Sequence, residues 1–286
     1  MNQLVILFGA GGQIGSSICR LLQAPNSSAL IRTVPWSVLH PMSWDDRIRL
    51  VLGLKANGDQ GTVVCAGGVT NPAASRDIIL EANLEFPLSI VRALADIPGF
   101  RFMTLGTIME HFPEACRHNA YLASKQALGS AMSVLSGQPS FAGRLLHLRL
   151  HTIYSSAIPE HMFLGQMATS LRFGRPFQMS AGHQLREYHH ADDFAMTVQT
   201  LLSQPWRQAT LDISTGLPIQ LQDLAKEIFG ACGRPDLLQI GQLETPLGEN
   251  DTKAFPASEP HLVQHYRDAR QGAVQAICEF CRLPSS

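Results

Sequence analysis

The chain has 286 residues, of which 45% are hydrophobic and 16% charged, with a formal net charge of −1. That is an ordinary globular balance, large enough for a sizeable core in one domain or two linked ones, and it carries no basic footprint for a nucleic acid polymer. No apolar run reaches the length that crosses a bilayer, so no membrane partner is expected, and scattered cysteines point to a reducing, cytoplasmic compartment.

Residues 4–8 (LVILF) form a short continuous apolar run, the pattern of a strand buried on both faces. It runs into glycines, without a basic leader or a small-residue cleavage site, so it reads as a first strand and not as a signal peptide. Ile14, Ile18, Leu21 and Leu22 then recur at helical spacing until Pro25-Asn26-Ser27 ends the helix. A second strand is predicted at 30–34. Ile48, Val51 and Leu52 mark the next helix, with Ser43 or Asp45 as its cap. TVVCA at 62–66 is another buried strand, closed by Gly67-Gly68. A long helical stretch follows to Ile97, and Pro87 inside it must kink or split it. Strands are predicted at 100–104 and 145–150. Strands alternating with helices over residues 1–150 predict right-handed βαβ units and a parallel sheet, an α/β protein. The remainder holds helices around 161–173, 219–231 and 268–281, a loop-rich segment at 174–191 and a strand at 210–214. It reads as a smaller lobe over 151–286, with parts of 188–215 joining the first domain. Cys278 and Cys281 form a C-x-x-C with no second pair, which reads as two cysteines on one face of the last helix.

The turn after the first strand is G-A-G-G-Q-I-G. Gly9, Gly12 and Gly15 suit a tight turn, close approach of backbone to a pyrophosphate, and close packing of helix on strand. The helix start beyond them offers free N–H groups and a positive dipole end to phosphates. The spacing is G-x-x-G-x-x-G, but the loop follows a strand and opens an amphipathic helix, the context of a dinucleotide site. The cofactor-binding candidates here are Gly9, Gly12, Gln13, Ile14 and Gly15, joined by Ala66 and Gly67 after the 62–66 strand. Residues 31–40 (IRTVPWSVLH) contain no acid to accept hydrogen bonds from the adenosine ribose of NAD. Nothing there repels a 2′-phosphate, and Arg32, Ser37 or His40 could contact one, so NADP is favoured over NAD.

Tyr121 and Lys125 in YLASK share one face if the segment is helical. With four tyrosines and the four lysines 55, 125, 226 and 253 in the chain, chance supplies only about 0.06 such matches. A neighbouring ammonium and an oxidised nicotinamide would lower the phenol from its ordinary value near ~10. Tyr121 then becomes a general acid for a ketone being reduced, or a base for an alcohol being oxidised. Lys125 can also hold the nicotinamide ribose. A further hydroxyl should orient the carbonyl oxygen, and Thr104 and Thr107 at the end of the preceding strand are both candidates.

With these motifs in order, the chain resembles the extended short-chain dehydrogenase/reductase family, the NAD-dependent epimerase/dehydratase type acting on nucleotide sugars. The resemblance rests on the glycine loop at 9–15, on TVVCAGG at 62–68, which looks like the family's fourth strand, on Asn83 and on YLASK. It extends to RLHTIYS at 149–155 and GHQLREYHHADD at 182–193. It implies a Rossmann domain for the cofactor and a C-terminal lobe for the nucleotide sugar, with Asn83 and Thr152 bordering the cofactor. It also implies that Arg186 holds the substrate diphosphate, for which a guanidinium fork is suited. A homodimer is implied as well. His189, His190, Asp192 and Asp193 are read as a structural turn and not a metal site, with Asp192 as a helix cap. The family's 4,6-dehydratases carry an Asp-Glu pair after the catalytic threonine. Here Thr104 is followed by Leu105-Gly106 and Thr107 by Ile108-Met109, so dehydration is disfavoured. What remains is NADPH-dependent reduction of a 4-keto sugar, with NAD-dependent 4-epimerisation as the alternative. A non-catalytic NADP(H)-binding sensor is a third reading, against which the intact Tyr121–Lys125 pair argues.

Overall fold

Five of the apolar runs become strands: β1 (Gln3–Phe8), β2 (Ala29–Val34), β3 (Gly61–Cys65), β4 (Phe100–Thr107) and β5 (Leu145–Leu150). The structure, a computed structural model, describes residues 3–39, 41–53, 60–71, 73–95, 97–245 and 252–282. With the strand Thr210–Ile213, these strands make a six-stranded sheet in which every pairing is parallel. Its order is Thr210–Ile213, β5, β4, β3, β1, β2. Val5, Ile6 and Leu7 are fully buried, as a strand covered on both faces requires. The chain leaves β1 for β2 on one side and returns to β3 on the other. That reversal opens a crevice beyond the C-terminal ends of β1 and β3, where open α/β sheets take their ligands. TVVC is thus the third strand among the described residues, where the family resemblance made it the fourth.

The chain divides into two compact units, residues 1–150 with 195–213, and residues 151–194 with 214–286. In the first, the helices are α1 (Gln13–Leu22), α2 (Trp36–Leu39), α3 (Trp44–Gly53), α4 (Arg76–Leu80), α5 (Phe86–Ala95), α6 (Pro113–His118) and α7 (Ala120–Ser136). Ser43 caps α3, its Oγ accepting from the Asp46 N–H at 3.2 Å. The stretch around Pro87 splits as the proline demands: a π-turn, Glu81–Glu85, separates α4 from α5, and Pro87 sits in the first turn of α5. Phe86, Ile90 and Leu94 on α5 bury against Ile6, Phe8 and Phe102 of the sheet. β4 runs three residues past its expected end, to Thr107, which sets the geometry of the threonines considered below.

The second unit has its own core, where the helices Phe163–Phe173, Leu221–Ala231 and Ala269–Arg282 bring together Met167, Ile228, Phe229 and Ile277. Cys278 faces Cys232 there, Sγ to Sγ 3.2 Å. The sequence reading of Asp192 as a helix cap is corrected. The helix Ala191–Leu202 already contains Asp192, and it is the ring of His190, through Nδ1, that accepts the Asp192 N–H at 3.2 Å. Asp193 instead accepts from the Arg267 guanidinium, at 2.7 Å from Nη2.

The same unit buries Glu187, 1% exposed. Its carboxylate accepts from Ser214 Oγ at 2.7 Å, the Thr215 N–H at 2.6 Å, Thr215 Oγ1 at 2.8 Å and His189 Nε2 at 3.0 Å. Burial pushes the carboxyl up. The bond from His189, the charge of His151 and the two hydroxyls outweigh it and bring the value down to about 2 from 4.5. A depressed carboxyl contributes stability that is fully present above its unfolded value and is lost as pH falls through the folded one. Urea titrations are therefore expected to show stability declining between about pH 4.5 and 2 through this group, and Glu187→Gln should flatten that slope.

Candidate active site

The glycine loop closes the C-terminal end of β1. Gly9 has φ +84°, and a Cβ there would lie 2.3 Å from the Gly67 nitrogen, so the loop rests on the backbone that follows β3. A Cβ on Gly15 would lie 2.0 Å from the Gly9 carbonyl oxygen. α1 starts directly on this turn, with Gly12 as its N-cap and Gln13, Ile14 and Gly15 in its first turn. Beside the loop lies a cavity of about 450 Å³, lined by Gly9, Gly11, Gly12, Ala66, Gly67 and Phe86 among others. At the β2 end its lining is Thr33, Pro35 and Leu39, and the described lining includes no carboxylate. Arg32 and Ser37 are not part of it, and His40 lies outside the described residues. Glycines that bring backbone this close to an open cleft fit a dinucleotide pyrophosphate.

α7 is started by Asn119, whose Oδ1 accepts from the Tyr121 N–H at 3.0 Å and the Leu122 N–H at 3.2 Å. Tyr121 and Lys125 follow one turn apart. Lys125 is buried, and its Nζ donates to the Leu105 carbonyl of β4 at 2.9 Å and lies 5.9 Å from the Tyr121 ring centre. Asn83, fully buried in the π-turn, clamps the chain after β3: its Oδ1 accepts from the Val69 N–H at 2.9 Å, and its Nδ2 donates to the Val69 carbonyl at 3.0 Å. A Cβ on Gly68 would stand 2.8 Å from Asn83 Oδ1 and 3.3 Å from Lys125 Nζ. Asn83, Lys125 and the strand-end glycines therefore converge on one spot at the C-terminal edge of the sheet.

The electrostatics differ from the sequence expectation. Burial, and then the carboxylate of Glu110, push the Tyr121 phenol up to about 12. Burial lowers Lys125, against the opposing pull of Cys65 and Glu110. Cys65 is pushed up to about 11 by burial, partly countered by the Lys125 ammonium.

The structure separates the two threonines. Thr104 is 1% exposed, and its Oγ1 is 2.7 Å from His147 Nδ1, a partner directly opposite on β5. Its hydroxyl is committed to the interior. Thr107 is half-buried at the strand end and caps the short 3₁₀ turn Ile108–His111. Its Oγ1 accepts from the Met109 N–H at 3.3 Å, while Glu110 Oε1 accepts the Thr107 N–H at 2.8 Å. The Thr107 hydroxyl hydrogen is left to donate elsewhere. Sequence reasoning passed over Glu110 and His147. The T-x-x-E spacing of residues 107–110 is a capping-box signature and was readable, whereas nothing local marks His147.

In the second unit, Arg186 and Thr152 line one cavity of about 310 Å³, together with Gln166, Gln178, Gln184 and Glu244 among others. Arg186 is half-buried, with Nη1 donating to the Leu185 carbonyl at 2.8 Å. Thr152 opens the strand Thr152–Tyr154, which pairs in parallel with Tyr188–His190. Thr152, assigned to the nicotinamide side by resemblance, is thus placed beside Arg186.

No curated protein matches the sequence significantly. Among solved structures, MoeE5 in complex with UDP-glucose and NAD is 15% identical with a TM-score of 0.73, over 97% of this chain and 98% of that one. The UDP-N-acetylglucosamine 4-epimerase of Bacillus cereus is 16% identical with a TM-score of 0.73, over 99% and 98%. RMD from Pseudomonas aeruginosa, complexed with NADPH, is 15% identical with a TM-score of 0.70, over 98% and 100%. At these identities the likeness establishes the fold, a Rossmann-type parallel sheet. The sequence model of the NAD-dependent epimerase/dehydratase family matches residues 5–213, most of the chain, and the protein belongs to that family, the extended short-chain dehydrogenase/reductase type its motifs resemble.

Proposed function

We propose that the protein is an NADPH-dependent reductase of a 4-keto nucleotide-diphosphate sugar. The observation that carries the reading is the Tyr121–Lys125 row of α7, standing at the C-terminal end of β4 beside the Gly68–Asn83 corner. A bound nicotinamide supplies the hydride. Tyr121 keeps its proton through the neutral range and gives it to the substrate oxygen as negative charge develops there. Lys125, fixed on the Leu105 carbonyl, offers its remaining protons to a ribose and its charge to the developing phenolate. Thr107 donates its free hydroxyl hydrogen to orient the same oxygen. One feature supports reduction over 4-epimerisation: the described lining of the glycine-loop cavity carries no carboxylate for an adenosine ribose.

The test is native mass spectrometry of the purified protein, followed by assay of 4-keto nucleotide sugars with NADPH. Protein free of nucleotide or loaded with NADPH, with stoichiometric NADPH consumption, is the expected result. Tightly held NAD+ and interconversion of 4-hydroxyl epimers without net cofactor use would replace the reductase by the epimerase. Binding of NADP(H) with no turnover of any sugar would make the protein a sensor.

Arg186 is assigned to the diphosphate because its guanidinium borders a cavity whose other described polar lining is mostly amide and hydroxyl. Losing a charge-assisted bidentate contact costs about 1.5–3 kcal/mol, so Arg186→Ala is expected to raise the nucleotide-sugar Kd by roughly 10- to 150-fold. NADPH affinity should stay within a factor of about two. Equal loss of both ligands in calorimetry would contradict the assignment.

A further inference from the structure

Further along the helix face that carries Tyr121 and Lys125, β4, β5 and α7 enclose an ionisable pair that the proposed reaction does not use. His147 is fully buried, and its Nε2 lies 3.1 Å from both oxygens of Glu110, a side chain 5% exposed. A carboxylate can only accept, so Nε2 carries the hydrogen, and the Thr104 hydroxyl donates to Nδ1 when the ring is neutral. The pair has been given room by two glycines. A Cβ on Gly106 of β4 would stand 2.2 Å from both Glu110 Oε1 and His147 Nε2, and one on Gly129 of α7 would stand 2.5 Å from Glu110 Oε2. Residues 121, 125 and 129 are successive i, i+4 positions, so Tyr121, Lys125 and the glycine that covers the carboxylate form one row along α7. Glu110 is held at its other points as well, by the Thr107 N–H at 2.8 Å and, through its carbonyl, by Gln126 Nε2 at 3.2 Å.

We infer that Glu110, held by His147, Thr107 and the two glycines, is a positioning residue whose buried negative charge sets how readily Tyr121 releases its proton. This rests on the reading of Tyr121 as the proton relay. The other ionisable groups on the elements packed around α7 are occupied or turned to solvent. On α6, Glu114 is exposed and paired with Arg117 and His118. In the 3₁₀ turn, His111 bonds Asp212 at 2.8 Å. At the π-turn, Glu81 is paired with Arg47 at 2.6 Å, and Asp77 of α4 and Glu85 are exposed. From β3, the Cys65 thiol is held protonated by burial. That leaves Glu110 and Lys125 as the buried charges along the α7 row that begins with Tyr121, Lys125 beside the ring and Glu110 against Gly129, and a negative charge there opposes ionisation of the phenol.

The experiment reads tyrosinate absorbance at ~295 nm near pH ~10, each protein minus its own Tyr121→Phe counterpart so that Tyr154, Tyr188 and Tyr266 cancel. Glu110→Gln removes the charge and keeps the shape. It is expected to raise the Tyr121 tyrosinate fraction by several-fold, up to about tenfold for a one-unit shift. Glu110→Asp, which keeps the charge, should stay near wild type. Should Glu110→Gln fail to fold, Glu110→Met, neutral and of similar length, carries the same expectation. An unchanged fraction in the neutral variants, or an equal change in Glu110→Asp, overturns the inference, because a purely structural role would not follow charge. The readout needs no turnover and is independent of the proposed reaction. Tyr121→Phe with full activity would defeat the reductase reading while leaving the charge effect standing. An inactive Tyr121→Phe with an unmoved tyrosinate fraction would do the reverse.

Discussion

Tyr121→Phe is expected to reduce turnover by about 10²- to 10⁴-fold, the range of a lost general acid, while NADPH binding and folding stability stay close to wild type. The phenol hydroxyl makes no hydrogen bond within the protein among the described residues, so its removal strands no buried partner. The ring packs against the small cluster of Ala115, Cys116 and Leu122, a contact that phenylalanine reproduces. A substitution that keeps the ring and nearly all of its volume usually costs less than about 1.5 kcal/mol. The lost oxygen thus affects only what it donates to. Lys125 remains bonded to the Leu105 carbonyl and can still receive a ribose, which is why cofactor affinity should persist. The pH profile adds a second check. A phenol pushed up to about 12 is protonated through the neutral range, so the wild-type reduction rate should be flat there and fall only on the alkaline side. In the variant that alkaline limb should vanish. Turnover near wild type in Tyr121→Phe would remove the phenol from the chemistry altogether.

What could be read from the sequence was whatever is decided locally. LVILF and TVVC are continuous apolar runs, and they became β1 and β3, the adjacent strands whose ends frame the glycine-loop cavity. Tyr121 and Lys125 were readable because four residues is one helical turn, and in α7 they stand one turn apart, with Lys125 reaching the Leu105 carbonyl of β4. What failed depended on register or on which way a side chain turns. Thr104 and Thr107 differ by an odd number of positions on one strand, so they point to opposite faces. One hydroxyl is spent on His147, and the other sits at the strand end. Arg32 suffered the same alternation: β2 places it level with Ile6, and the cavity lining takes its neighbour Thr33 instead. The Glu110–His147 contact joins residues 37 apart, and it exists only because β4 pairs with β5 in a register that sets Thr104 opposite His147. Membership of the family named the loop and the helix row, but it did not reveal the charge beneath them.

The largest structural effect is expected in the glycine loop, and it should differ sharply between neighbouring glycines. A Cβ on Gly15 would be 2.0 Å from the Gly9 carbonyl oxygen, 2.6 Å from its carbon and 3.0 Å from the Ala10 Cα, all of them backbone. A Cβ on Gly9 would be 2.3 Å from the Gly67 nitrogen, at a φ of +84° that an L side chain resists. Neither contact can be relieved by a side-chain rotation. α1 must back away from β1, or the loop must lift off the chain after β3, and overpacking of that kind costs about 1–3 kcal/mol. Gly9→Ala and Gly15→Ala should therefore lower the melting temperature by several degrees and weaken dinucleotide binding by at least about tenfold, since the same shift would move the N–H groups that the proposed reading turns toward a pyrophosphate. Gly11 provides the contrast: nothing lies within 4 Å of its added Cβ and its φ is not positive, so Gly11→Ala should melt within about a degree or two of wild type. Calorimetric melting of the three variants, with dinucleotide titration of each, decides the matter. If Gly15→Ala melted with Gly11→Ala and bound dinucleotide as wild type does, close packing of α1 on the loop would not be what builds this cavity.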